Sequence, residues 1–181
     1  MEIREEGPQD EAGVRRLHQA AFGDHGAVVA PLVDDLRSRL GPDDGLSLVA
    51  TDEEGLVGHV MFSRSLLDAP RRLVDVQVLS PLAVLPGRQR RGIGSALVRQ
   101  GLDALAVRRV PVVFLEGSPS YYSRLGFRPG AELGFRKPSL RIPDAAFQAL
   151  PLPAHEAWMT GTLVYSQIFW DHDAVGLREG H

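Results

Sequence analysis

A chain of 181 residues that is 44% hydrophobic and 24% charged suits one domain with a sizeable buried core. Its 19 glycines and 13 prolines follow no repeat, which excludes collagen-like and low-complexity sequence, and no apolar run approaches the roughly 18 residues that cross a bilayer. Twenty basic against 23 acidic side chains leave a net charge of −3, and the absence of cysteine excludes a disulfide framework, a zinc–thiolate centre and a cysteine nucleophile. Residues 1–6 contain no apolar signal core, so the expectation is a soluble, cytoplasmic protein with no membrane partner.

In chain order, Glu2–Glu5 reads as a first strand. Residues 8–22 have helical spacing through Val14, Leu17, Ala20 and Ala21, with Asp10 near the start. A second helix spans 27–40 through Val29, Leu32, Val33, Leu36 and Leu40, and Gly41-Pro42 stops it. Residues 46–51 and 56–65 form a hairpin across Asp52-Glu53-Glu54-Gly55. A longer apolar strand covers 73–85 and is broken by Pro81, which cannot donate to a ladder. A helix follows over 92–107, then a buried strand over 111–115, a turn at Gly117-Ser118-Pro119 and a short Tyr-rich helix ending at Gly126. The remainder reads as Pro-punctuated loop with one clear strand over 161–169. This order describes an α/β fold with a mixed sheet and helices packed on its faces. A single domain over 1–181 is expected, with a C-terminal extension over about 131–181.

The charge is unevenly distributed. Residues 79–128 hold eight arginines and two acids, a balance of +6, which leaves −9 on the remainder. A basic middle in an acidic chain points to a local anion site, not to a nucleic-acid surface. Lys137 is the single lysine beside nineteen arginines and asparagine is absent, a pattern that codon bias explains as well as phosphate binding does. Weight therefore rests on where the arginines lie. Leu82-Ala83-Val84 ends a strand, a basic turn follows, and Gly92-Ile93-Gly94-Ser95 opens a helix. Helix N-termini attract anions, so Arg90 and Arg91 at that end are unfavourable unless something negative sits there. No third glycine completes a dinucleotide fingerprint, and no lysine completes a phosphate-binding P-loop.

What remains is Q-x-x-G-x-G after a strand, in Gln89-Arg90-Arg91-Gly92-Ile93-Gly94. It resembles the signature of the GNAT N-acetyltransferase superfamily at every specified position. The Leu82-Ala83-Val84 strand end and a Y-x-x-x-G-F block at Tyr122, Gly126 and Phe127 match the same family. The resemblance implies a mixed, mostly antiparallel central sheet with helices on both faces and splayed fourth and fifth strands. It implies acetyl-CoA as cosubstrate, with a core over about 75–130; no metal is expected, because the five histidines other than His59 show no metal spacing and cysteine is absent. The amides of Arg90, Arg91, Gly92, Ile93, Gly94 and Ser95 would hold the pyrophosphate, and the backbone around Ala83, at Leu82 and Val84, the pantetheine arm.

By the same resemblance Tyr122 would donate a proton to the departing thiolate. The histone-acetylating branch carries a glutamate base where this chain has Val78, so that base does not transfer. Other branches use an acid at the end of the following strand, which makes Glu116 the candidate base, against a structural hydrogen-bonding role. The family's helix-start asparagine is also missing, with Ser118 or Ser120 as substitutes. His59 is a further base or substrate contact, or a packed residue. Trp158, Tyr165, Phe169 and Trp170 line an acceptor pocket or seal the sheet. The implied activity is direct acetyl transfer to a primary amine of a small molecule or peptide, as a monomer or homodimer. The alternative is a catalytically inactive acyl-CoA-binding sensor.

Overall fold

The computed structural model describes residues 1–39, 41 and 43–179, which form two compact units. The first comprises Met1–Ser63 and Leu79–Ala104, the second Arg64–Val78 and the described residues from Leu105 onward.

The first unit is built on period-two alternation. Strand β1 (Glu2–Glu5) pairs antiparallel with β2 (Gly45–Asp52), and β2 with the start of β3 (Gly55–Asp68). Successive β3 side chains point to opposite faces. His59 meets helix α1 (Glu11–Phe22) through His18, while Gly58 and Phe62 meet helix α3 (Ile93–Val107). Helices therefore cover both faces. Close approach of α3 requires small residues. A Cβ on Gly101 would lie 2.3 Å from the Phe62 ring, and one on Gly58 would lie 2.9 Å from Leu97. The predicted helix over 8–22 starts as a 3-10 turn, Pro8–Asp10, because the Asp10 carboxylate accepts from the Gly7 amide at 2.8 Å and from Arg4 at 2.6 Å. Helix α2 spans Gly26–Arg39; Leu40 and Pro42, expected at its end, lie outside the described residues.

The second unit holds a ladder around β5 (Val112–Glu116). It runs parallel to β4 (Leu73–Val84), Gln77 opposite Val113 and Val78 opposite Phe114, and antiparallel to β8 (Phe147–Pro151). The sheet is thus mixed and mostly antiparallel. Pro81 does not interrupt β4, contrary to expectation; the strand continues through it and the β5 ladder ends at Val78 instead. The C-terminal region carries more structure than its sequence suggests. Two-residue strands β6 (Arg128–Pro129) and β7 (Phe135–Arg136) pair with β8 and β9 (Gly161–Val164), and β9 also pairs with the Leu66–Asp68 end of β3. The expected strand over 161–169 divides, because Ser166 accepts from the Ile168 amide and caps helix α5 (Gln167–Asp171). Phe114 packs between Phe135 and Phe147, which anchors β5 and β8.

A polar chain runs through the first unit's core. His18 Nε2 lies 2.8 Å from His59 Nδ1, and His59 Nε2 lies 2.8 Å from Ser47 Oγ and 3.4 Å from Glu6 Oε2. Ser47 donates its proton to Glu6, which also accepts from Arg37 at 2.5 Å. The hydrogen-bond network then fixes the tautomers. His59 donates from Nε2 and accepts at Nδ1, so His18 donates from Nε2 and keeps a bare, buried Nδ1 without a partner among the described residues. Burial opposes ionisation of Glu6, but its bonds from His59 and Ser47 and the Arg37 charge prevail and hold its pKa at about 2. Burial, then the neighbouring His59, holds His18 at about 3, and burial lowers His59 as well.

Unfolding restores His18 to about 6.5, so the unfolded chain takes up the proton first. Stability is full above pH 6.5 and falls as pH drops toward 3, by about 1.4 kcal/mol per pH unit for one histidine. Glu6 adds a second loss between its ordinary value of 4.5 and about 2. Thermal unfolding followed from pH 7.5 to 4 should show this decline, and His18→Gln, which keeps the donor to His59 without titrating, should flatten its upper part.

Candidate functional site

The basic turn lies in the first unit. Beyond β4, Pro86–Arg88 forms a 3-10 turn, and Gln89 to Gly92 lead into α3. Arg90 (φ 62°) and Gly92 (φ 81°) both occupy the left-handed region, one residue apart. Gly92 does so without cost, whereas Arg90 is a strained non-glycine residue of the kind that clusters at ligand clamps. Alternation of this sort turns successive amides to one side as a concave anion nest, next to the unpaired first amides of α3. A Cβ on Gly92 would meet nothing within 4 Å, so this backbone is open to approach. Ile93 is buried against Gly58 and fixes the helix start, with Gly94 buried and Ser95 half-buried beside it.

The three arginines of the turn divide by role. Arg90 and Arg91 are exposed and meet no carboxylate among the described residues. Arg88 is consumed within the protein, donating from Nε to Asp52 at 2.9 Å and from Nη2 to Glu54 at 2.6 Å. Gln89 donates to the Val84 carbonyl at 3.2 Å, tying the turn to the strand end. Leu82 and Val84 are half-buried while Ala83 points inward and is buried. Two side-chain cations and a ring of amides fit a polyanionic group such as a pyrophosphate.

The second unit holds Tyr122 and Glu116. Tyr122 ends helix α4 (Pro119–Tyr122), and Gly126, left-handed at φ 96°, closes the following turn. Its ring packs edge-on to Tyr121 and Phe127, with centroids 4.8 and 5.8 Å away. A Cβ on Gly117 would lie 2.6 Å from that ring, so Gly117 is the seat that lets it in. Among the described residues no group hydrogen-bonds the Tyr122 hydroxyl, and burial, then Tyr121, pushes its pKa above the usual 10. The hydroxyl therefore carries its proton at neutral pH.

Glu116 is differently placed. Its Oε1 accepts from the Tyr165 hydroxyl at 2.8 Å and its Oε2 from the Gly176 amide at 3.2 Å. Burial raises its pKa, opposed by those two bonds and by Arg141. Both oxygens are thus engaged by the chain itself. Ser118 and Ser120 hydroxyls lie 3.0 Å apart. Tyr165 and Phe169 are packed residues, Trp158 lies under the guanidinium groups of Arg71 and Arg72, and Trp170 is exposed. His59 belongs to the buried polar chain and has no exposed surface. The Arg88, His18–His59 and Tyr165–Glu116 contacts escape sequence reading because their partners lie 34 to 49 residues away. Among the described residues no cluster of three or more histidine or acidic side chains could hold a metal, and no helix is long and apolar enough to cross a membrane.

The family model for the acetyltransferase (GNAT) domain matches residues 2–130. The uncharacterized N-acetyltransferase YjhQ of Escherichia coli is 33% identical over 158 residues, 84% of each chain. Among solved structures, the GNAT family N-acetyltransferase YhbS of Escherichia coli in complex with CoA superposes with a TM-score of 0.81 at 33% identity, covering 93% of this chain and 91% of that one. A GNAT family acetyltransferase of Brucella melitensis in complex with acetyl-CoA gives 0.72 at 31% identity, covering 93% and 97%.

The seat of Tyr122 is testable without a ligand. Gly117→Ala should displace the ring and destabilise the protein by about 1–3 kcal/mol through overpacking, read by urea unfolding. The near-ultraviolet tyrosine signal should change with it.

Proposed function

Because this chain belongs to the GNAT family of acetyltransferases, we propose that it transfers the acetyl group of acetyl-CoA directly to a primary amine of a small molecule or peptide. The observation that carries this reading is the left-handed Arg90–Gly92 turn at the start of α3, with two exposed arginines that meet no carboxylate among the described residues. When bound, acetyl-CoA supplies an acetyl group activated as a thioester. The amides of Arg90 to Ser95 hold its pyrophosphate, with the Arg90 and Arg91 side chains as counter-charges. The backbone of Leu82 and Val84 aligns the pantetheine arm, and the Val84 carbonyl accepts from Gln89, which holds the strand end against the basic turn.

The amine must attack unprotonated, although free amines have pKa values of about 8 to 10.4. As the new N–C bond forms and the C–S bond breaks, the amine proton passes to a base and the sulfur acquires one. Tyr122 Oη is the proposed donor to sulfur, since its hydroxyl is protonated and has no partner within the described chain. Glu116 is the proposed acceptor, directly or through water, on release of one of its two hydrogen bonds. Those same two bonds favour the second reading, an acyl-CoA-binding sensor that performs no transfer.

Calorimetry with acetyl-CoA and thiol release across a panel of amines separate the two. Transfer predicts binding followed by release with at least one amine, and a sensor predicts binding with none. Tyr122→Phe should lower kcat by about 100-fold with little change in acetyl-CoA affinity; full turnover would remove Tyr122 as the acid. Arg90→Glu combined with Arg91→Glu should weaken acetyl-CoA binding at least tenfold, and unchanged affinity would remove the turn as the anion site.

A further inference from the structure

Arg88 sits two residues before the strained Arg90, yet its guanidinium does not face outward with the other two arginines. It bridges Asp52 and Glu54 in the β2–β3 turn, at 2.9 and 2.6 Å. That turn is itself organised, since the Glu54 amide donates to Asp52 Oδ1 at 2.8 Å and Gly55 takes a φ of 114°. Within the segment from Leu85 to Gly92, Pro86 and Gly87 are exposed. Apart from the Leu85 amide on Val57 at 2.9 Å, the Arg88 bridge is what ties this segment to the neighbouring hairpin among the described residues. A left-handed non-glycine residue persists only where its surroundings over-determine it. On one side of Arg90, α3 supplies that constraint, with the Ala96 amide on the Gly92 carbonyl at 3.0 Å. On the other side stand Gln89, whose side chain donates to the Val84 carbonyl at 3.2 Å, and Arg88, which alone of the two reaches the neighbouring hairpin.

We propose that Asp52, Glu54 and Arg88 are positioning residues that hold the Arg90–Gly92 amide nest in its binding conformation, so that two acidic side chains strengthen the binding of an anionic cosubstrate. The proposal rests on the acetyl-CoA reading given above. Its sign is opposite to simple electrostatics. Two carboxylates attached to a cationic turn lower the local potential, and charge alone predicts that removing them tightens anion binding. Release of the turn predicts the reverse, because Arg90 relaxes to negative φ and the amides no longer converge.

The test is calorimetric titration of acetyl-CoA into the full chain, with thermal unfolding recorded for each variant. Asp52→Asn with Glu54→Gln, Arg88→Gln, and all three together should each raise Kd about tenfold. The triple variant should be no weaker than Arg88→Gln, since all act through one bridge. Arg88→Lys, which still reaches a carboxylate, should recover part of the loss if the melting temperature stays near the wild-type value. A doubly neutralised Asp52/Glu54 variant that binds as tightly as wild type, or more tightly, overturns the proposal, and with weakened Arg88→Gln it makes Arg88 a direct anion contact. Wild-type protein that does not bind acetyl-CoA removes the functional reading itself.

Discussion

The first unit depends on the seating of α3 against β3. Phe62 fills the space that a side chain on Gly101 would need, and Leu97 and Ile93 close over Gly58. Burial of each large apolar side chain contributes roughly 1.5–3 kcal/mol, more than the ~0–1 kcal/mol of an exposed ion pair. Because Ile93 is the first residue of α3, this apolar contact also determines where the helix begins and where its unpaired amides open. Anion chemistry at that end is therefore a consequence of packing. Charge acts on the preceding turn, which has little apolar surface to hold it.

The electrostatics follow a division of labour that net charge conceals. Acids of the first unit take specific arginine partners: Asp10 holds Arg4, Glu6 holds Arg37, and Asp52 holds Arg88. The first two pairs cancel within the acidic remainder, whereas Asp52 is part of its −9 and serves as counter-ion to Arg88 of the basic segment. Arg90 and Arg91 have no carboxylate partner among the described residues, as Arg16 and Arg99 of the same unit have none, and are set apart by their place at the strained turn before α3. The buried His18–His59 pair is the neutral counterpart, two imidazoles held uncharged by burial, with His59 satisfied by His18 and Ser47 while His18 Nδ1 stays bare among the described residues. Glu116 shows the same economy in the second unit, where Tyr165 and Gly176 occupy both oxygens.

Elements with a strong local signal were legible from sequence: β1, the two first helices, the β2–β3 hairpin, α3 and β5 all lie where periodicity and turn residues place them. The C-terminal region was not. Residues 147–151 are short and end in proline, and they become a strand only by pairing with β5 on one side and β6 on the other. The apolar run at Ile168-Phe169-Trp170 suits a strand or a helix, and a single capping bond from Ser166 decides for the helix. Pro81 misled in the other direction, since a strand tolerates proline where no ladder bond is asked of its nitrogen.

The division at the site has the same cause. A glycine that must adopt a left-handed φ, a helix that must start with unpaired amides, and a tyrosine four residues before a Gly-Phe pair are requirements within one stretch of chain, so the sequence by itself determined them. Whether an arginine is available or bound to Asp52, and whether a glutamate is open or held by a tyrosine 49 residues away, depends on which segments pack together. Only the tertiary structure decided those, because hydrogen bonds and ion pairs are claimed by proximity in space.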